Sequence, residues 1–235
     1  MDYEKQEKLI DMTINYKAIL FGSIGTIVET SELQRRSFNQ AFSEAGLDWN
    51  WTLEEYQKML TKSGGRNRIN DFANQRGIKV NADALHLRKT EIFDKMMSDE
   101  KISPRPGVAN LISYALDNGI HLAFVTSTST ANIDAMFFAL NNQIKKGDFS
   151  FIGNDKLVSQ PKPNSEIYLK ALSELKLNAE DCIAIEDTEV SMRSAIDANL
   201  KCIAFPGAMA HENDFSDAYL ETRDLSPSHL FENQI

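Results

Sequence analysis

Lys162 stands between Pro161 and Pro163, Thr126-Ser127 follows the apolar run Leu122-Ala123-Phe124-Val125, and Glu186-Asp187 ends another, Cys182-Ile183-Ala184-Ile185. Gly25-Thr26 lies just beyond a further run, Ala18-Ile19-Leu20-Phe21. An ammonium, a hydroxyl and backbone N–H groups at strand ends make a donor set suited to an anion. In a parallel sheet, ligands sit at the carboxyl ends of the strands. The N–H groups of Gly25 and Thr26, the Thr126 hydroxyl, the Ser127 N–H and the Lys162 ammonium would then converge on one phosphate. Each residue alone is an ordinary loop feature; their order along the chain carries the signal.

That order resembles the four motifs of the haloacid dehalogenase (HAD) superfamily, closest to the subgroup of β-phosphoglucomutase and the xylulose-bisphosphate phosphatases. The first motif of that family places two aspartates around one residue just before Gly-Thr; here the two positions are Gly22 and Ile24, in Phe21-Gly22-Ser23-Ile24-Gly25-Thr26. Thr126-Ser127 resembles the second motif, Lys162 the third, and Glu186-Asp187 the fourth. Glu29-Thr30-Ser31-Glu32-Leu33-Gln34, Ala45-Gly46-Leu47-Asp48-Trp49, Ser63-Gly64-Gly65-Arg66 and Asp214-Phe215-Ser216 carry the closer match, with Gln34 where the subgroup usually has histidine.

The resemblance implies a phosphatase whose first aspartate attacks phosphorus and whose second is general acid and then base. Glycine and isoleucine can do neither, so no catalytic residue of that kind is intact. It also implies phosphate binding by Gly25, Thr26, Thr126, Ser127 and Lys162. Magnesium would be held by Glu186, Asp187 and the Ile24 carbonyl, weakly or not at all without the motif-one carboxylate. In the helical cap that sets substrate choice in this subgroup, Arg36 and Arg66, with Arg35 behind them, are candidates for a second phosphate, and Glu29 for sugar hydroxyls. Ser23, between the vacant positions on an extended strand, is expected to point away from the phosphate.

These features predict an HAD-like protein that binds a phosphorylated sugar or inorganic phosphate without normal hydrolase activity, a pseudoenzyme. Two alternatives stand beside it: an active magnesium-dependent sugar-phosphate phosphatase with a non-standard nucleophile, and a scaffold or partner subunit.

The positioning elements are legible from periodicity. Apolar runs at 18–21, 121–125, 149–152, 182–186 and 201–205 alternate with helical stretches, predicting an α/β fold: a doubly wound parallel sheet, an HAD-like Rossmannoid core. From Ser31 to about Met97 the spacing is helical, as at Leu33, Phe38, Phe42 and Leu85, Ile92, Phe93. The expected organisation is an N-terminal extension at 1–16, core at 17–30 and 104–235, and an inserted helical cap at 31–103, with Pro104 and Pro106-Gly107 marking the return. Trp49 and Trp51 are expected in the cap's core, and Asn199 in a left-handed C-cap.

With 34 acidic against 25 basic residues and a net charge of −9, a nucleic-acid backbone is disfavoured as partner. No apolar stretch approaches a membrane span, and a cytoplasmic protein is expected. Cys182 and Cys202 each begin an apolar run and are expected as buried thiols in a reducing compartment. His86, His121, His211 and His229 show no metal-ligand spacing and are expected as surface or boundary residues. The sequence names no protein partner.

Overall fold

A computed structural model describes residues 16–60, 64–140 and 143–231; apart from Tyr16, the expected N-terminal extension lies outside the described residues. Strands β1 (Ala18–Phe21), β2 (His121–Phe124), β3 (Phe151–Ile152), β4 (Cys182–Glu186), β5 (Lys201–Ala204) and β6 (Leu220–Glu221) form one parallel sheet in the order β3-β2-β1-β4-β5-β6. Chain order therefore reverses beside β1, the switch point at which such sheets open a crevice. Phe21, at the carboxyl end of β1, pairs with Phe124 on one side and Ile185 on the other, so the segments that follow β1, β2 and β4 emerge together.

Side-chain alternation gives the sheet two unlike faces. Ile19, Phe21, Leu122, Phe124, Ile183, Ile185 and Ile203 pack beneath helices α6 (Val108–Asp117) and α7 (Thr130–Ala139). The smaller Ala18, Leu20, Ala123, Cys182, Ala184, Cys202 and Ala204 lie against α8 (Glu166–Leu175) and α9 (Glu189–Ile196). Burial of both faces is why these strands read as continuous apolar runs.

Between β1 and α6 lie a single helical turn, α1 (Ile24–Ile27), and four longer helices: α2 (Ser31–Glu44), α3 (Leu53–Met59), α4 (Gly65–Gln75) and α5 (Ala82–Asp99). The helices α2 to α5 have their own apolar cluster, in which Trp51 is fully buried among Phe38, Phe42 and Phe72. Met209, from the loop after β5, packs into that cluster. The return is fixed at Gly107, where φ is +77° and a Cβ would lie 1.7 Å from the Leu225 carbonyl oxygen.

Several expectations are met: Asn199 is left-handed at φ 62°, both tryptophans are buried, and both cysteines are buried and free. The third strand is shorter than its apolar run, because Phe149 turns into the core instead of extending the ladder. Two features had no sequence signal. β6 is only two residues long, and Lys176 caps α8 at φ 56° although lysine has no special tolerance for that region.

Candidate functional site

A cavity of about 330 Å³ lies between the carboxyl ends of the central strands and the helices α2 to α5. Its floor is built from the segments after β1, β2 and β4, and its roof from α2, α4 and α5.

Beneath the floor, Gly22 leaves a space, and Glu186 fills it. A Cβ at position 22 would lie 2.0 Å from both Cδ and Oε1 of Glu186. The fully buried Glu186 accepts from Lys162 Nζ at 2.5 Å and from the Tyr168 hydroxyl at 2.6 Å, both at Oε1. Lys162 Nζ also donates to the Gly22 carbonyl at 2.7 Å. Burial pushes the Glu186 carboxyl up from its ordinary value, and Lys162 opposes that shift. Its Oε2 is buried without a hydrogen-bond partner among the described residues.

The segment after Gly22 does not continue the strand. Ser23 is the N-cap of α1; its N–H donates to Thr26 Oγ1 at 3.2 Å, and Thr26 N–H donates to the Ser23 carbonyl at 3.2 Å. Strand alternation therefore fails here, and the expectation for Ser23 is corrected: its side chain lines the cavity and its hydroxyl donates to Asp187 Oδ1 at 2.6 Å. Burial raises the Asp187 carboxyl, opposed by that hydrogen bond. Arg105 anchors the turn from below, donating to the carbonyls of Gly25 at 2.9 Å, Phe205 at 2.8 Å and Pro206 at 2.6 Å.

Among the described residues, the basic side chains that line the cavity belong to the roof. Lys89 on α5 is buried, donates to Gln34 Oε1, and lies 4.9 Å and 4.7 Å from the ring centres of Phe38 and Phe93. Burial, with Arg68 nearby, lowers its ammonium to about 7. Arg68 on α4 and His86 on α5 also line the cavity, and burial with the neighbouring cations lowers His86 to about 4. His86 is thus a half-buried wall of the site, in keeping with the boundary position expected, and a Cβ at Gly65 would lie 2.7 Å from its Nε2. None of Arg68, His86 and Lys89 stood out in the sequence. The available signal was the helical spacing that aligns His86, Lys89 and Thr90 on one face.

Of the residues expected to hold phosphate, Gly25 and Thr126 line the cavity, whereas Thr26, Ser127 and Lys162 do not. Thr126 Oγ1 accepts from Thr128 N–H at 3.2 Å. Ile24, at the acid/base position, is almost fully buried and packs in the main core cluster while bordering the cavity. Arg36 is turned to Glu100 at 2.7 Å and Arg66 to Asp83 at 2.8 Å, so neither is brought to the cavity. Arg35 bonds Glu32 and the Trp51 carbonyl. Glu29 accepts from the N–H groups of Ser31 at 2.8 Å and Ala208 at 2.6 Å, tying the start of α2 to the loop after β5.

The side chains present do not fit a family-type magnesium site. Glu186 is committed to Lys162 and Tyr168 below the floor, leaving Asp187 as the carboxylate that lines the cavity among the described residues. No three His, Cys, Asp or Glu side chains converge among them. Nor is any described helix long and apolar enough to cross a membrane.

Comparison with known proteins agrees with this architecture. The chain is 39% identical over 205 residues to Protein CbbY of Cereibacter sphaeroides, covering 86% of this chain and 89% of that protein. A crystal structure of CbbY from Rhodobacter sphaeroides in complex with xylulose-(1,5)bisphosphate superposes with TM-score 0.81 at 37% identity, covering 89% of this chain and 94% of that one. The β-phosphoglucomutase of Clostridium difficile shares the fold, with TM-score 0.72 at 19% identity over 92% of this chain and 95% of that one. The haloacid dehalogenase-like hydrolase family model matches residues 19–205, and the chain belongs to that family.

Proposed function

We propose that this protein binds a phosphorylated sugar in the cavity between sheet and helices, without hydrolysing it by the family's aspartate route. The observation that carries the reading is the packing of Glu186 into the space left by Gly22, with Lys162 drawn onto it. There is no carboxylate at position 22 to attack phosphorus and no acid at position 24 to protonate a leaving group. Phosphate monoester hydrolysis needs accelerations up to about 10²¹-fold, and losing catalytic groups that act as a unit removes several powers of ten of it. The xylulose-(1,5)bisphosphate complex of CbbY supports a sugar phosphate as the ligand class. The two buried, free thiols suit a reducing compartment such as the cytoplasm.

The test is a panel of pentose and hexose mono- and bisphosphates, scored for thermal protection and for phosphate release. Protection without magnesium-dependent release is expected, and EDTA should leave the protection unchanged. Robust release, or no protection by any phosphorylated compound, would overturn the reading.

One observation favours a second reading, a phosphatase with a different nucleophile. Ser23 lines the cavity and its hydroxyl donates to the Asp187 carboxylate. Turnover abolished by Ser23→Ala, with a phosphoserine at that residue, would establish it.

A further inference from the structure

The helices α2 to α5 meet the rest of the molecule at two joints of different kinds. At the first, where the chain enters and leaves them, Val28 and Pro104 form an antiparallel bridge. Beside it Leu33 of α2 and Phe93 and Met97 of α5 lie in the main core cluster, whereas Phe38 and Phe42 of α2 and Ala82 and Leu85 of α5 lie in the helices' own cluster. The near ends of α2 and α5 are thus built into the core, and their far ends are not. In the helices' cluster, among the described residues, Met209 is the one member from outside residues 31–99. The apolar part of the second joint is therefore a single side chain.

The sheet holds the base of that side chain. Phe205 N–H donates to the Glu186 carbonyl at 2.7 Å, Gly207 N–H to the Asp187 carbonyl at 3.0 Å, and Ala208 N–H to Glu29 Oε2 at 2.6 Å. Ala210 packs in the cluster on the smaller-residue face of the sheet, so the consecutive residues 209 and 210 belong to different apolar cores. The same loop borders the cavity through Gly207, Ala210 and Asn213. A fixed base carrying one buried side chain, with a continuous joint elsewhere, is the construction of a latch and a hinge. Methionine suits the part, because an unbranched, polarisable side chain leaves and re-enters an aromatic cluster without one fixed rotamer.

We infer that Met209 is a latch: its withdrawal from the Trp51 cluster frees the far ends of α2 and α5 and opens the cavity, with the Val28–Pro104 bridge as the hinge. The inference goes beyond the proposed binding and holds whatever the cavity takes up. Burial of one methionine side chain favours the closed form by about tenfold or more.

Opening is read by thiol labelling of Thr90→Cys, at a cavity-lining position on α5, with Cys182 and Cys202, buried in the sheet, as internal reporters of unfolding. Adding Met209→Ala should speed labelling at position 90 by about tenfold or more without labelling the native thiols. Met209→Leu, which keeps the volume, should retain the slow rate. Phe72→Leu loosens the same cluster from within the helices and should leave the rate unchanged. An unchanged rate in Met209→Ala, or equal acceleration by Phe72→Leu, would overturn the latch, because Met209 would then only fill space. If Met209→Ala does not fold, Glu29→Ala decides: it frees the Ala208 N–H, so faster labelling supports the latch and an unchanged rate overturns it.

Discussion

Gly22 and Glu186 share one volume: the glycine's missing side chain is the space in which the glutamate carboxyl meets Lys162. A side chain at position 22 therefore requires the Glu186 carboxyl to move. The arrangement also explains how a buried carboxylate is tolerated, since Lys162 and Tyr168 both donate to it.

Gly22→Asp is therefore expected to destabilise the fold by about 1–3 kcal/mol through overpacking and a second buried carboxylate. For a chain of this size that is a fall in melting temperature of roughly 2–12 °C. Glu186→Ala alone leaves Lys162 buried without its anion and should cost about 3–5 kcal/mol. In the double variant the new aspartate takes over Lys162, so the two losses should fall short of their sum by ~1 kcal/mol or more. A double-mutant cycle by urea denaturation measures this, and strict additivity would show that the two side chains do not compete.

Lys89 makes stability depend on pH in a direction opposite to that of a paired lysine. Its folded value is about 7, below the unfolded 10.5, so between these values the unfolded chain binds more protons and stability rises with pH. Below about 7 both states are protonated and the contribution is flat. Lys89→Met should therefore stabilise the protein most at and below neutral pH, with the gain shrinking toward pH 10. Denaturation of both proteins at pH 6.5, 8 and 9.5 checks the slope.

Arg105 holds three carbonyls from two segments and lies 3.6 Å from the Phe205 ring centre. Lysine has neither the fork to reach all three nor the plane to cover the ring. Arg105→Lys is expected to cost about 2 kcal/mol, since hydrogen bonds to charged groups contribute about 1.5–3 kcal/mol each and lysine keeps some of them. Because the Gly25 carbonyl is released, the floor loosens and sugar-phosphate affinity falls with stability. A variant that binds as tightly as the unmodified protein would separate Arg105 from the site.

What the sequence determined by itself was everything with a period or a motif order. The alternation of Ile19 and Phe21 against Ala18 and Leu20 encodes a strand buried on two unlike faces, and the spacing of Phe38, Phe42 and Leu85 encodes the helical insertion. The segments after β1, β2 and β4 were identifiable as site-forming because a parallel sheet brings successive carboxyl ends to one edge. The absence of aspartate at Gly22 and Ile24 is likewise a sequence fact. Tertiary structure decided which way each group faces. Ser23 enters the cavity because the strand ends one residue early in a helical turn, and Lys162 leaves it because Glu186 bends into an emptied volume. Arg68, His86 and Lys89 reach the cavity while Arg36 and Arg66 pair elsewhere, a choice made by helix rotation and by the nearest carboxylate. Local periodicity fixes which face of an element is apolar; it carries no information about which distant side chain takes up the space or charge that another has left.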